Sequence, residues 1–234
     1  YNLDNINQGK NLFTLYDLTG KQRYRDAIET IRSQLETQPR TREGNFWHKK
    51  IYPWQVWLDG TYMAQPFYME YETRYNGMRG CLDSYRQFMN VKKYMKDPVT
   101  GLYYHGYDES RQMYWANPET GCSPNFWLRA MGWFLVAMVD VLERMDEQLY
   151  FEYRAIMSMF KDAAEAMLAF QDTETGMFWQ VIDKPDSRQL SGIFRHRPVC
   201  LRRAQGRAAG IPAQAVCRLR RESLLTAPAT NTWA

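Results

Sequence analysis

The sequence predicts an all-α chain assembled from repeated helical hairpins, an α/α toroid, and three observations carry that prediction. Apolar residues recur at helical spacing through most of residues 1–187. The loops between them share one aromatic pattern. Nothing supports a large sheet, although Leu102 to Tyr104 has the composition of a small strand. The 234 residues are 45% hydrophobic and 24% charged, enough to bury a core and too apolar for wholesale disorder.

In chain order, a first helix is expected near 5–17, stopped by Thr19-Gly20, with Asp4 placed as its cap. Tyr24, Ala27, Ile28, Ile31 and Leu35 mark the apolar face of a second helix. Helices near 58–75, 80–95 and 124–146 follow, the last opened by Ser123-Pro124. Ile156, Met159, Phe160, Ala163, Met167 and Phe170 mark one more apolar face. Between helices, Gly44-Asn45-Phe46-Trp47-His48, Gly101-Leu102-Tyr103-Tyr104-His105 and Gly176-Met177-Phe178-Trp179-Gln180 share a pattern of Gly, any residue, two aromatics and a polar hydrogen-bonder. Their spacings of 57 and 75 residues leave room for one hairpin plus its loops. The Gly and first aromatic read as a tight turn with a hydrophobic plug. His48 and His105, equivalent in two repeats, read as functional.

Charge divides the chain. Residues 1–187 hold 21 Lys+Arg against 25 Asp+Glu, whereas residues 188–234 hold nine Arg, no Lys and one acid, Glu222. Two readings account for this Arg- and Ala-rich tail: a basic nucleic-acid arm, or a disordered out-of-frame translation beginning near 188–190. The second explains the abrupt loss of Lys, so nucleic acid is not an expected partner. No basic-then-apolar leader opens the chain, and Tyr1 in place of Met reads as a processed or truncated start. The longest apolar run, Trp133 to Val139, is too short to span a bilayer, so no membrane partner is expected. Cys81, Cys122, Cys200 and Cys217 show neither disulfide-framework nor zinc spacing.

Two charges stand alone in apolar sequence. Asp59 is the only charged residue from Ile51 to Met69, and dehydration there is expected to raise its pKa and make it a general acid. The competing reading is a helix N-cap. Arg129 is the only charge between Phe126 and Val139. A buried guanidinium needs an anion, either a protein carboxylate such as Asp4 or Asp59 or a substrate carboxylate. Trp133, four residues on, shares its face, and Trp127 can reach the same mouth. No group of these side chains has metal-ligand spacing on one element.

Five motifs then carry a resemblance. They are Phe46-Trp47-His48-Lys49; Tyr52-Pro53-Trp54-Gln55-Val56-Trp57-Leu58-Asp59-Gly60; Tyr104-His105-Gly106-Tyr107-Asp108-Glu109; Trp115-Ala116-Asn117-Pro118-Glu119-Thr120-Gly121-Cys122-Ser123-Pro124, running into Phe126 to Trp133; and Gln180-Val181-Ile182-Asp183-Lys184. Together they resemble the unsaturated rhamnogalacturonyl hydrolases (glycoside hydrolase family 105), pectin-degrading enzymes with a six-hairpin (α/α) barrel. The similarity covers about residues 1–187 as a partial catalytic toroid, incomplete because the opening and closing hairpins of the family are not matched. It implies that Asp59 is the proton donor and Asp4 the second active-site aspartate, which replaces the cap reading. It also implies that His48, Tyr52, Trp57, His105, Trp127, Arg129 and Trp133 line the pocket for an unsaturated uronide oligosaccharide. No metal or organic cofactor is implied. The implied reaction is hydration of the C4=C5 bond that a lyase leaves at the non-reducing end. The alternatives are the sister unsaturated glucuronyl hydrolases, acting on glycosaminoglycan fragments, and a non-catalytic carbohydrate-binding fragment.

Overall fold

The structure, a computed structural model, describes residues 1–185 and 191–192. The expectations for the tail fall outside the described residues, save for the backbone of one two-residue strand. Within the described residues, helices α1 (Gly9–Thr19) and α2 (Gln22–Thr37) form one hairpin, α3 (Leu58–Tyr75) and α4 (Cys81–Met95) a second, and α5 (Leu128–Leu142) and α6 (Tyr150–Leu168) a third. The expected hairpin architecture is therefore present: three hairpins of an (α/α) barrel.

Burial separates an inner from an outer row. Helix α3 packs against α1 on one side and α5 on the other. Both α3 and α5 bury residues around most of their circumference. Helix α2 buries only Ile28 and Leu35, as one-sided amphipathic helices do. Pro66 lies inside α3 and supplies no N–H for the Tyr62 carbonyl one turn back. Lys10 Nζ donates to that carbonyl at 3.4 Å and sits 3.4 Å from the centre of the Tyr62 ring. Burial lowers the Lys10 pKa to about 8.

The first helix, helix α5 and the segment Leu102 to Tyr104 differ from expectation. The first helix is preceded by a 3₁₀ turn, Leu3–Ile6, whose cap is Asn2; Asp4 lies inside the turn, and its N–H donates to the Asn2 side chain at 3.0 Å. Helix α5 begins at Leu128 instead of 124, because the segment before it is extended and paired: Leu128 N–H donates to Gln180 O and Ile182 N–H to Phe126 O, each at 2.9 Å. It ends at Leu142. Leu102 to Tyr104 forms a single bridge, Tyr103 with Lys96, instead of a strand. Strand β1 (Gln55–Trp57) pairs antiparallel with β2 (Gly106–Asp108), Trp57 opposite Gly106. Strand β3 (Phe178–Trp179) pairs with β4 (Ser191–Gly192).

The aromatic loops close the hairpins. Gly44, Gly101 and Gly176 all have positive φ, at 98°, 74° and 68°, which glycine adopts without strain. The first aromatics, Phe46, Tyr103 and Phe178, are all buried, as the plug reading requires. Phe46 and Phe178 each contribute about 1.5–3 kcal/mol of apolar burial. The last residue of each loop then returns to the start of its own hairpin. Leu3 N–H donates to His48 O (3.0 Å), Leu58 N–H to His105 O (3.0 Å) and Leu128 N–H to Gln180 O (2.9 Å). The residues after those leucines are Asp4, Asp59 and Arg129. One closure, used three times, delivers Asp4, Asp59 and Arg129 to equivalent positions.

Candidate active site

Asp59 occupies the second residue of α3 and is 4% exposed. It is not the N-cap, which is Trp57. Its Oδ1 meets Arg129 Nη1 at 3.0 Å. Its Oδ2 meets His105 Nε2 at 3.1 Å, a close contact without the alignment of a hydrogen bond. Burial pushes the Asp59 carboxyl up. The His105 imidazole and the Arg129 guanidinium offset burial and hold it below the usual carboxylate value. The expected upward shift is therefore corrected: Asp59 is ionised in this arrangement, because two distant segments bring it cationic and donor partners.

Arg129 also departs from expectation. Its side chain is 62% exposed, not buried. One guanidinium nitrogen holds Asp59, and the rest of the fork faces outward, geometrically able to receive a second anion.

Asp4 makes the parallel contact in the first hairpin. Its Oδ1 lies 3.5 Å from His48 Nε2, and its Oδ2 lies 2.8 Å from Lys49 Nζ. His48 is 3% exposed, and burial lowers its pKa to about 4, so the ring is neutral at neutral pH. The two aspartate clusters meet through Trp57. His48 stacks on the Trp57 indole (4.6 Å, 15°), Tyr52 stacks on it as well (5.3 Å, 14°), and His105 meets it edge-on at 5.5 Å. Asp4, His48, Tyr52, Trp57, Asp59, His105 and Arg129 therefore form one continuous cluster.

The remaining two residues sit at its α5 side. Trp133, one turn beyond Arg129, stacks on Tyr62 at 4.3 Å, and Tyr62 lies one turn below Asp59 on α3. Trp127 pairs its backbone with Val181 and leaves its ring 40% exposed. Lys49, Tyr62 and Lys10 were not singled out from sequence. For Lys49 a signal existed, its adjacency to His48; the roles of Tyr62 and Lys10 depend on Pro66 and on the α1–α3 packing.

Fold and site together define an α/α-barrel protein with a carboxylate-centred, aromatic-walled cluster at its inner helix ends. Residues 1–192 match the model of Glycosyl Hydrolase Family 88, and the chain belongs to that family. A solved family 105 glycoside hydrolase from C. acetobutylicum is 37% identical, with a TM-score of 0.84 over 93% of this chain and 61% of that one. The unsaturated rhamnogalacturonyl hydrolase YesR of Bacillus subtilis is 29% identical over 191 residues, 79% of this chain and 53% of that protein. An unsaturated glucuronyl hydrolase from Bacillus sp. GL1 shares the fold at 14% identity, with a TM-score of 0.53 over 76% of this chain and 47% of that one. The chain spans about half the length of the curated relatives it matches. The resemblance carried by the five motifs is thus borne out at the level of family and fold.

Proposed function

We propose that this chain carries the catalytic centre of a glycoside hydrolase that removes an unsaturated uronyl residue by hydrating its C4=C5 bond, with rhamnogalacturonan oligosaccharides as the substrate class. The observation that supports it most is the Asp59 carboxylate held between His105 and an outward-facing Arg129, beside the Trp57 wall. The likeness to the Bacillus subtilis enzyme favours rhamnogalacturonan over glycosaminoglycan fragments.

The reaction needs a proton at C4, a hydroxide equivalent at C5 and a binding site for the uronate carboxylate. The exposed fork of Arg129 suits that carboxylate. A carboxylate arriving there competes with Asp59 for the guanidinium and adds a like charge nearby, and both effects raise the Asp59 pKa. Substrate binding therefore converts Asp59 from the ionised form toward the acid that the reaction uses. Protonated Asp59 gives its proton to C4 of the enol ether, water adds at C5, and the proton released by that water returns to the carboxylate. The C5 hemiketal opens, and the anomeric carbon then expels the leaving sugar. No glycosyl-enzyme forms, so the usual carboxylate spacing for retention or inversion does not apply. Asp4, His48, Tyr52 and the tryptophans bind and orient the ring.

The test is loss of the conjugated C=C absorbance of unsaturated disaccharides, measured with this chain. Loss with the rhamnogalacturonan disaccharide and little with the glycosaminoglycan one supports the full reading. The reverse preference overturns the substrate class and keeps the chemistry. No loss with either, alongside measurable binding, sinks the enzyme reading in favour of a carbohydrate-binding role.

A further inference from the structure

Beside His48 and Trp57 lies a cavity that gives about 10 Å³ to the centre of a water molecule, the room one water requires. His48, Gln65, Gln87 and Gly60 are among its lining residues. Two buried polar atoms at this cavity have no hydrogen-bond partner, His48 Nδ1 and Gln65 Oε1. Other polar side chains lining it are engaged: Thr61 donates to Leu58 O, and Asn45 donates to Gln87 O.

On the Gln87 side of the cavity, the direction of each hydrogen bond is fixed from outside. Asp83 is held ionised by Arg40 and Arg86, which offset its burial, so it only accepts. The Gln87 NH₂ donates to Asp83 at 3.2 Å, leaving Gln87 Oε1 as an acceptor, a role it also fills for Phe46 N–H at 3.1 Å. Gln65 must therefore turn its NH₂ toward Gln87, which it does at 3.0 Å, and its oxygen toward the cavity. On the far side, His48 Nε2 lies 3.5 Å from the acceptor Asp4, which favours the proton of a neutral ring at Nε2 and a lone pair at Nδ1. The cavity thus offers two acceptors and no donor. Only a small molecule with two donors satisfies both, and leaving each acceptor buried and unmet carries a desolvation penalty.

We propose that one water molecule binds in this cavity, donating its two O–H groups to His48 Nδ1 and Gln65 Oε1, and that Gln65 is thereby a positioning residue that fixes His48 as the Nε2–H tautomer facing Asp4. The water is the point where the relay reverses. From it, hydrogen bonds run outward through Gln65 and Gln87 to Asp83, and through His48 to Asp4. Gly60 makes room for this arrangement: a Cβ there would stand 2.9 Å from His48 Nδ1.

The experiment is ¹⁵N NMR of the histidine rings in this chain at neutral pH, with His48 assigned by a His48→Gln variant. A crystal structure that resolves ordered solvent accompanies it. The expected result is a protonated Nε2, an unprotonated hydrogen-bonded Nδ1, and solvent density within hydrogen-bond reach of both His48 Nδ1 and Gln65 Oε1. Gln65→Met removes one acceptor and is expected to shift the Nδ1 resonance or mix the tautomers. Gln65→Leu, which removes the same acceptor with a different shape, is expected to do the same, and it serves if Gln65→Met does not fold. An Nδ1–H tautomer in the wild-type chain, or solvent density absent between the two atoms, overturns the proposal. So do unchanged His48 resonances in a folded variant of either kind. These readouts do not depend on turnover; only the bearing of the tautomer on activity rests on the hydrolase reading, so the two fail separately.

Discussion

Helix α3 carries two buried carboxylates, Asp59 in its first turn and Glu72 in its last turns, and they are held in opposite ways. Glu72 is wholly buried and saturated. Its Oε1 accepts from Arg32 Nε at 2.8 Å and forms an ion pair with Arg32 Nη2 at 2.8 Å, and its Oε2 accepts from Asn76 Nδ2 (2.6 Å) and Gly80 N–H (2.8 Å). Arg32 itself is 13% exposed. Asp59 is nearly as buried, yet its arginine is mostly in solvent and its histidine contact is poorly aligned. A carboxylate that pins α2, α3 and the α3–α4 turn together needs every lone pair met by buried partners. Under the proposed function Asp59 has to gain and lose a proton, and that needs partners that can be drawn away. Burial alone does not separate the two roles; the exposure and number of the partners do.

The largest expected effect tests the mobile side of that contrast. Asp59→Asn keeps shape and removes the proton, so turnover should fall by about 10²–10⁴-fold with binding little changed. Its melting temperature should move little, because the arginine left behind remains solvated. Retention of more than about a tenth of wild-type turnover, a barrier change below roughly 1.4 kcal/mol, contradicts the role.

Glu72→Ala tests the fixed side. It leaves Arg32 without its buried partner and should cost about 3–5 kcal/mol of stability in denaturant unfolding. Substrate preference in whatever fraction remains folded should be unchanged. A melting temperature equal to wild type would show that Glu72 is as dispensable to the fold as Asp59.

Arg129→Lys sharpens the comparison. An ammonium retains the charge but not the two-pronged contact, so affinity for the unsaturated uronide should fall by about 1.5–3 kcal/mol. Affinity for its carboxamide should fall far less. Equal loss for both ligands refutes carboxylate recognition by Arg129 and leaves its role as the counter-ion of Asp59.

The pH dependence follows from the same geometry. In the free protein His105 and Arg129 hold Asp59 low, so its acid form, and with it kcat/KM, should decline as pH rises above the acidic range. In the complex the uronate competes for Arg129, so the alkaline limb of kcat should lie at higher pH than that of kcat/KM. Coincident limbs rule out protonation driven by substrate.

The smallest effect is on stability. Burial depresses His48 from 6.5 to about 4, so between those values the unfolded chain binds a proton that the folded chain does not. Stability present above pH 6.5 should be lost as pH falls toward about 4. His48→Gln should flatten that part of the melting-temperature profile.

Much of this was legible in the residues themselves. Helical spacing located the hairpins, and the Gly-x-aromatic-aromatic pattern located the loops that close them, because local periodicity and turn chemistry are written in consecutive residues. The solitary charges Asp59 and Arg129 stood out because their neighbours are apolar. Helix α5 starts later than Ser123-Pro124 suggests because the Phe126 carbonyl and the Leu128 N–H are claimed by a loop some fifty residues further on, a competition that Ser123-Pro124 does not register.

What only the tertiary structure decided is how those charges are wired. Nothing in the sequence shows that Leu3-Asp4, Leu58-Asp59 and Leu128-Arg129 are one position used three times. The equivalence resides in backbone bonds to His48, His105 and Gln180. Nor does an apolar neighbourhood reveal the protonation state of Asp59. Desolvation pulled its pKa one way, as the sequence suggested, and partners from the closing loop of its own hairpin and from the start of the next pulled it further the other way. A pKa is set by charges within about 4–6 Å, whatever their separation along the chain. The hairpins bring His105 and Arg129 inside that radius, and Asp59 is ionised for that reason.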